Sequence, residues 1–289
     1  MSTAVATPPT TPVAAAPPKG RLSFLHLLRS EWIKFWSVRS TFWTLGTFLV
    51  TMVAMILLFT LALKSASDPS DPDATNALAP FILGVAFGQF AVAVLGALTI
   101  TGEYSTGMIR TSLSAAPKRL PVLWSKGIVA GLSMFGVALI GVAVSAALQW
   151  LFFHDNGLGV DLGNSQHVRA LIGTALYIAT IGLLAFAFGA LMRHSAAAVS
   201  SVLGLILLVP IVLQLVPWKP LQEIAVFLPG SVIAPSAGLL ITFTDREIAD
   251  FQTGSIGAHL TAWQGYGVLV AWVLVILAVA AILLKRRDA

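Results

Sequence analysis

FWTLGTFLVTMVAMILLFTLAL, residues 42–63, runs for twenty-two residues without one charged side chain. A bilayer core about 30 Å thick is crossed by about 20 apolar residues wound as a helix, so this stretch reads as a membrane span. Five further stretches meet the same test: 81–101, 121–153, 171–192, 196–216 and 265–284. The whole chain agrees with them. It is 57% hydrophobic and 10% charged, with a mean hydropathy of +0.89, whereas a soluble domain carries roughly 25% charged residues. The expected fold is an all-α integral membrane protein with six transmembrane helices.

Six is even, so both termini lie on one side, and lysine and arginine say which. With the N-terminus inside, 13 of the 17 cations fall in cytoplasmic segments and only Lys64, Arg169, Lys219 and Arg246 fall outside. Loops rich in Lys and Arg stay cytoplasmic. Seven of the eight tryptophans (32, 36, 43, 124, 150, 218 and 263) sit near expected span ends, as an aromatic belt requires. The expected location is the cell membrane with both termini cytoplasmic. The net charge of +5 is therefore a topology signal, and no nucleic-acid partner is expected. The bilayer itself is the first partner.

The remaining segments follow from composition. Residues 1–20, rich in Pro, Thr and Ala, lack the apolar core of a signal peptide and read as a disordered cytoplasmic tail. LSFLHLLRSEWIKFWS (22–37) places Leu25, Leu28, Trp32 and Trp36 on one helical stripe and His26, Ser30, Lys34 and Ser37 on the other. Such a helix lies in the interface, aromatics toward the acyl chains and cations near anionic lipid. Between spans five and six, the runs 224–228 and 237–243 are too short to cross and are broken by Pro229, Gly230 and Pro235, which suggests a re-entrant or interfacial hairpin at the outer face. Asp68, Asp71 and Asp73 form an acidic turn without the glycine-containing spacing of a calcium loop.

Inside the spans, small residues recur at four-residue spacing: Gly84 with Gly88, Gly141 with Ser145, Ala185 with Gly189, Ser200 with Gly204. They allow close approach of helices within a bundle or across a dimer. Pro210 is expected to kink span five. Gln89 and Gln214 need either a partner on a neighbouring helix or a wet pathway to line.

The chain has no phosphate-binding glycine loop, no HExxH, no GxSxG and no cysteine, and no ionisable residue well inside a span. No catalytic residue, metal site or cofactor is expected, and an ion-coupled secondary transporter is the least favoured class. If the protein moves a substrate, another polypeptide supplies the energy, and the place to look is the cytoplasmic loop TGEYSTGMIRTSLSAAPKRLP (101–121). Glu103 is expected to open a short helix running to Leu113, its carboxylate in the first turn, with Pro121 opening span three. The alternative is an ordinary connecting loop, or a loop that anchors a cytoplasmic protein without transport.

SEWIKFWSVRSTFWTL (30–45), followed by GEYSTGMIRTSLSAAPKRLPVLWSK (102–126), resembles the permease subunits of bacterial type-2 ABC exporters. The resemblance implies an elbow helix at 22–37, a coupling helix at about 103–114 and a single permease domain over 21–289. It also implies a separate ABC ATPase subunit that binds the ATP, and a second permease copy, identical or related. On this resemblance Glu103, Tyr104, Gly107 and Arg110 are the residues that dock the ATPase. The cation asymmetry is tested by placing a single cysteine at Ser70 or at Ser105. An impermeant thiol reagent on intact cells should label Ser70→Cys and spare Ser105→Cys, and the reverse pattern would invert the topology.

Overall fold

The computed structural model describes residues 23–66, 76–108, 119–153, 159–216, 218–230, 236–252 and 259–286. The predicted N-terminal tail, the acidic turn at 68–73 and the second half of the predicted coupling helix, 109–114, lie outside them. Among the described residues there are helices and connections but no strands. In chain order the helices are α1 (Phe24–Ser37), α2 (Arg39–Ala66), α3 (Ala79–Ser105), α4 (Arg119–Phe153), α5 (Ser165–Met192), α6 (Ser195–Leu203), α7 (Val209–Leu215), α8 (Lys219–Ala225), α9 (Asp245–Gln252) and α10 (Ala262–Arg286). Six spans, each long and apolar enough to cross a membrane, are formed by α2, α3, α4, α5, the α6–α7 pair and α10. All six expected spans are present.

In every span but the fifth the helix outruns its apolar stretch, because winding satisfies the backbone whether the side chains are apolar or not. The 35 residues of α4 extend about 52 Å at 1.5 Å per residue, well beyond the hydrocarbon. The fifth span is wound in two ways. Pro210 lacks an N–H, and its ring crowds the carbonyl four residues back. The helix answers with a π turn over Gly204–Leu208, in which the N–H of Val209 bonds to the Gly204 carbonyl, absorbing the misfit.

Through the middle of the bundle runs α5, with α3, α4, α6 and α10 packed around it. Asn164 caps its start by accepting from the Gln166 N–H at 2.9 Å. Arg193 ends it in the left-handed conformation at φ 57°, giving a turn tight enough for α6 to fold straight back. Glycine sets the closest approach. A Cβ on Gly96 of α3 would stand 2.1 Å from the Gly182 carbonyl oxygen of α5, and one on Gly182 would stand 2.2 Å from the Met134 sulfur of α4. Several of the predicted small-residue sites serve the same purpose within the chain. Gly84 and Gly88 admit Ile56 and Phe48 of α2, and Gly189 admits Ile100 of α3. Ser200 is exposed and nothing lies within 4 Å of a Cβ on Gly204.

The predicted hairpin before the last span is present at the bundle end away from α1. Its limbs are joined where the Ala237 N–H donates to the Val226 carbonyl at 2.8 Å. A 3₁₀ turn, Ala237–Thr242, is wholly buried against α5 and α10. It fits there because Gly173 and Gly265 present bare backbone to the carbonyls of Ile241 and Ala237. Thr244 and Glu247 then form a reciprocal capping box at the start of α9. Arg169 of α5 holds this segment through Asp245 at 2.6 Å and the Phe243 carbonyl at 2.8 Å. Replacing Gly96 with Ala should force α3 from α5 and cost about 1 to 3 kcal/mol, read as a lower unfolding temperature in detergent. Gly136→Ala, where nothing lies within 4 Å, should show no such loss.

Candidate functional site

At the α1 end of the bundle, four charged side chains from three helices meet. Lys126 of α4 donates to Glu31 of α1 at 2.6 Å and to Glu103 of α3 at 2.8 Å. Lys34 of α1 donates to the same Glu103 oxygen, Oε1. Glu103 and Lys126 are each only 5% exposed. Two carboxylates and two ammoniums balance, so the group is neutral as a whole. Burial and the neighbouring Lys126 ammonium hold Lys34 below the ordinary lysine pKa, against the upward pull of Glu31. The second oxygen of Glu103, Oε2, is buried and has no hydrogen-bond partner among the described residues.

The cluster explains how α1 sits. Leu27, Leu28, Glu31, Lys34 and Phe35 form its inward face, and Phe35 is buried. Of the expected stripe, Leu25, Trp32 and Trp36 stay exposed, but Leu28 packs against the core. Lys34, however, turns into the bundle and does not reach outward to lipid as the sequence suggested, because Glu103 gives it a partner there.

Glu103 itself is placed differently from expectation. It lies near the end of α3 and not at the start of a new helix, so its carboxylate faces α1 and α4. Tyr104, next in sequence, is half-buried on another side of α3, with the Arg193 guanidinium 5.4 Å from its ring centroid. Residues 103 and 104 thus tie the end of α3 to α1, α4 and the α5–α6 turn together. Gly107 follows in the left-handed conformation at φ 72° and is exposed, a turn that favours glycine. Arg110 lies outside the described residues.

The two glutamines proposed for a pathway fare as follows. Gln89 is buried between α3 and α5, where its Oε1 accepts from the Tyr177 hydroxyl at 2.9 Å and its amide donates to the Ala86 carbonyl. That makes it an interhelical tie of the kind polar residues form in lipid. The Gln214 side chain lies outside the described residues. A third glutamine, unremarked in the sequence, does equivalent work: Gln149 of α4 donates to Thr60 of α2 and to the Ala77 carbonyl, each at 3.1 Å. Among the described residues no group of His, Cys, Asp and Glu is placed to hold a metal.

Sequence reasoning singled out Glu103, but took Lys34 as an interfacial cation and Lys126 as a topology signal, and gave Glu31 no role of its own. Two cues were present. Glu31 and Lys34 are three apart on one helical face, and Lys126 stands several residues inside α4 beyond Pro121, too deep for a loop cation. No family model matches the chain, and no curated protein matches it.

Removing one member of a buried ion cluster costs about 3 to 5 kcal/mol, because a charge is left buried without its partner. Glu103→Ala, leaving Lys34 and Lys126 facing each other, should therefore lower the amount of folded protein in the membrane. The double variant Glu103→Leu with Lys126→Met leaves Glu31 and Lys34 to pair along α1 and should recover most of that loss. Equal, undiminished yields of the single variant would show that the cluster carries no stability.

Proposed function

We propose that this chain is the membrane-spanning permease subunit of an ATP-driven exporter of the type-2 ABC class. In this reading it forms the translocation pathway with a second permease copy, works in a bacterial cell membrane with its termini cytoplasmic, and binds no ATP itself. A separate ABC ATPase supplies hydrolysis.

One observation carries the reading. The loop that resembles a coupling segment begins at the point where α3 is clamped by Glu103 to α1 and α4 and by Tyr104 to the α5–α6 turn. A partner pressing on that loop would move α3 and, with it, four other elements as one piece. A mere connecting loop needs no such clamp. Gly107, exposed at a left-handed turn, lets the chain leave α3 sharply toward a docked partner. In this arrangement Glu103 acts through its buried neighbours, while Gly107 follows the clamp in the chain, and docking the partner falls to it and, by the resemblance, to Arg110.

Expressed with the nucleotide-binding protein that it partners, the chain should co-purify in a complex holding two permease copies and two ATPase domains. Gly107→Val strains a backbone that only glycine adopts freely, and Arg110→Ala removes a charged contact of about 1.5 to 3 kcal/mol. Each should cut permease-dependent ATP hydrolysis about tenfold or more with the membrane level of the chain unchanged. A co-purifying partner without ATPase activity would instead make the chain an anchor, and transport that survives ATP depletion but not an uncoupler would make it ion-coupled.

A further inference from the structure

By the order of the six spans, thirteen lysines and arginines fall at the α1 end of the chain but only three carboxylates, Glu31, Glu103 and Asp288. Glu31 and Glu103 are both engaged by Lys34 and Lys126 inside the buried cluster. Eleven cations and one carboxylate remain, a surplus that this end of the chain cannot neutralise by itself. Two of the eleven are Arg29 and Arg39. Arg29 stands on the outward face of α1, one helical turn from Leu25, Trp32 and Ile33, and all four are exposed. Arg39, also exposed, opens α2 three residues past Trp36. Neither arginine forms a hydrogen bond or ion pair with another described residue. Residues 1–22, which lead into α1, contain no carboxylate at all.

We infer that the outward face of α1, continued by the start of α2, is a docking surface for anionic phospholipid, with headgroup phosphates accepting from the Arg29 and Arg39 guanidiniums. The depth is set by tryptophan. Trp32 and Trp36, with ring centroids 6.0 Å apart, and Trp43 of α2 are all exposed, and such residues mark the headgroup level of a bilayer. A guanidinium at that level meets phosphate oxygens with its fork of donors. The sign of the lipid follows from the surplus. A zwitterionic headgroup brings its own cation and leaves the excess charge as it was, whereas each anionic headgroup removes one unit of it. A water-soluble polyanion would meet the cations but leave Leu25, Trp32 and Ile33 uncovered. Lipid supplies both the charge and the apolar cover. Lys34, the α1 cation that the sequence assigned to this role, takes no part, because it is turned inward to Glu103. The inference needs only a membrane around the chain and does not rest on the transport reading.

The test uses the full purified chain in detergent, without an ATPase, titrated with single lipids of matched acyl chains and followed by native mass spectrometry. Phosphatidylglycerol should bind about fivefold more tightly than phosphatidylcholine, the gain of one basic side chain at an anionic surface. Arg29→Gln and Arg39→Gln should each reduce that preference, and the two together should erase it. Both side chains are exposed, so the variants should keep the unfolding temperature of the unaltered chain. Lys219→Gln, which removes an exposed cation at the opposite end, should leave the preference intact. Equal binding of the two lipids by the unaltered chain would overturn the assignment, as would a preference that survives loss of both arginines. An equal loss on Lys219→Gln would show diffuse charge attraction and no surface on α1. Displacement of phosphatidylglycerol by an equal concentration of glycerol phosphate would show a site for soluble phosphate, and would also sink the lipid assignment.

Discussion

Inside a bilayer no water is present to bond an exposed amide or carbonyl, and each one left unsatisfied costs several kcal/mol. The rest of this structure follows from that constraint. The six spans are helical because a helix satisfies its own backbone. Where Pro210 breaks the pattern, a π turn restores it with a bond from Val209 to Gly204. With no hydrophobic effect to draw one apolar helix to another in lipid, association relies on close packing and on scarce polar ties. Gly96 against Gly182 supplies the first. Gln89 with Tyr177, and Gln149 with Thr60, supply the second.

The charges obey the same constraint at a shallower depth. Glu103 and Lys126 are buried near the end of the bundle, where neither is tolerable alone. Two helices would have sufficed for one pair. The cluster instead recruits α1, so a helix outside the spans is fixed to the bundle by its polar face while its tryptophans remain free for the interface. Electrostatics thereby determines which face of α1 packs, overriding the aromatic stripe that dominates its sequence. The sharing of Glu103 between two lysines also means that the end of α3 cannot shift without disturbing both α1 and α4.

The opposite end is closed by different means. There a neutral 3₁₀ turn is inserted between α5 and α10, and backbone carbonyls pack on bare glycines. The ionic contact that holds it, Arg169 with Asp245, leaves the aspartate side chain 60% exposed, and exposed pairs contribute little. One end is therefore clamped by buried charge and the other is plugged by fitted backbone under a weak ionic tie. For the proposed permease this asymmetry makes the second end the one whose opening would break no buried ion pair.

The sequence alone determined the membrane class, the number of spans and the presence of a broken hairpin before the last of them. These are local properties, since hydropathy over twenty residues and the placement of Pro and Gly depend on no distant contact. It also marked Glu103 and Tyr104 through their resemblance to an exporter loop. It did not disclose that α3 continues through both residues, because a helix end in water has no hydropathy signature. Only the tertiary structure decided that Glu31, Lys34, Glu103 and Lys126 are one group, since Lys126 lies 95 residues from Glu31 and 23 from Glu103. The depth of Lys126 beyond Pro121 hints at a buried role, but the sequence does not say whether a given lysine marks topology or neutralises a buried carboxylate. The two differ only in what stands opposite them, and the packing of α1, α3 and α4 settles that.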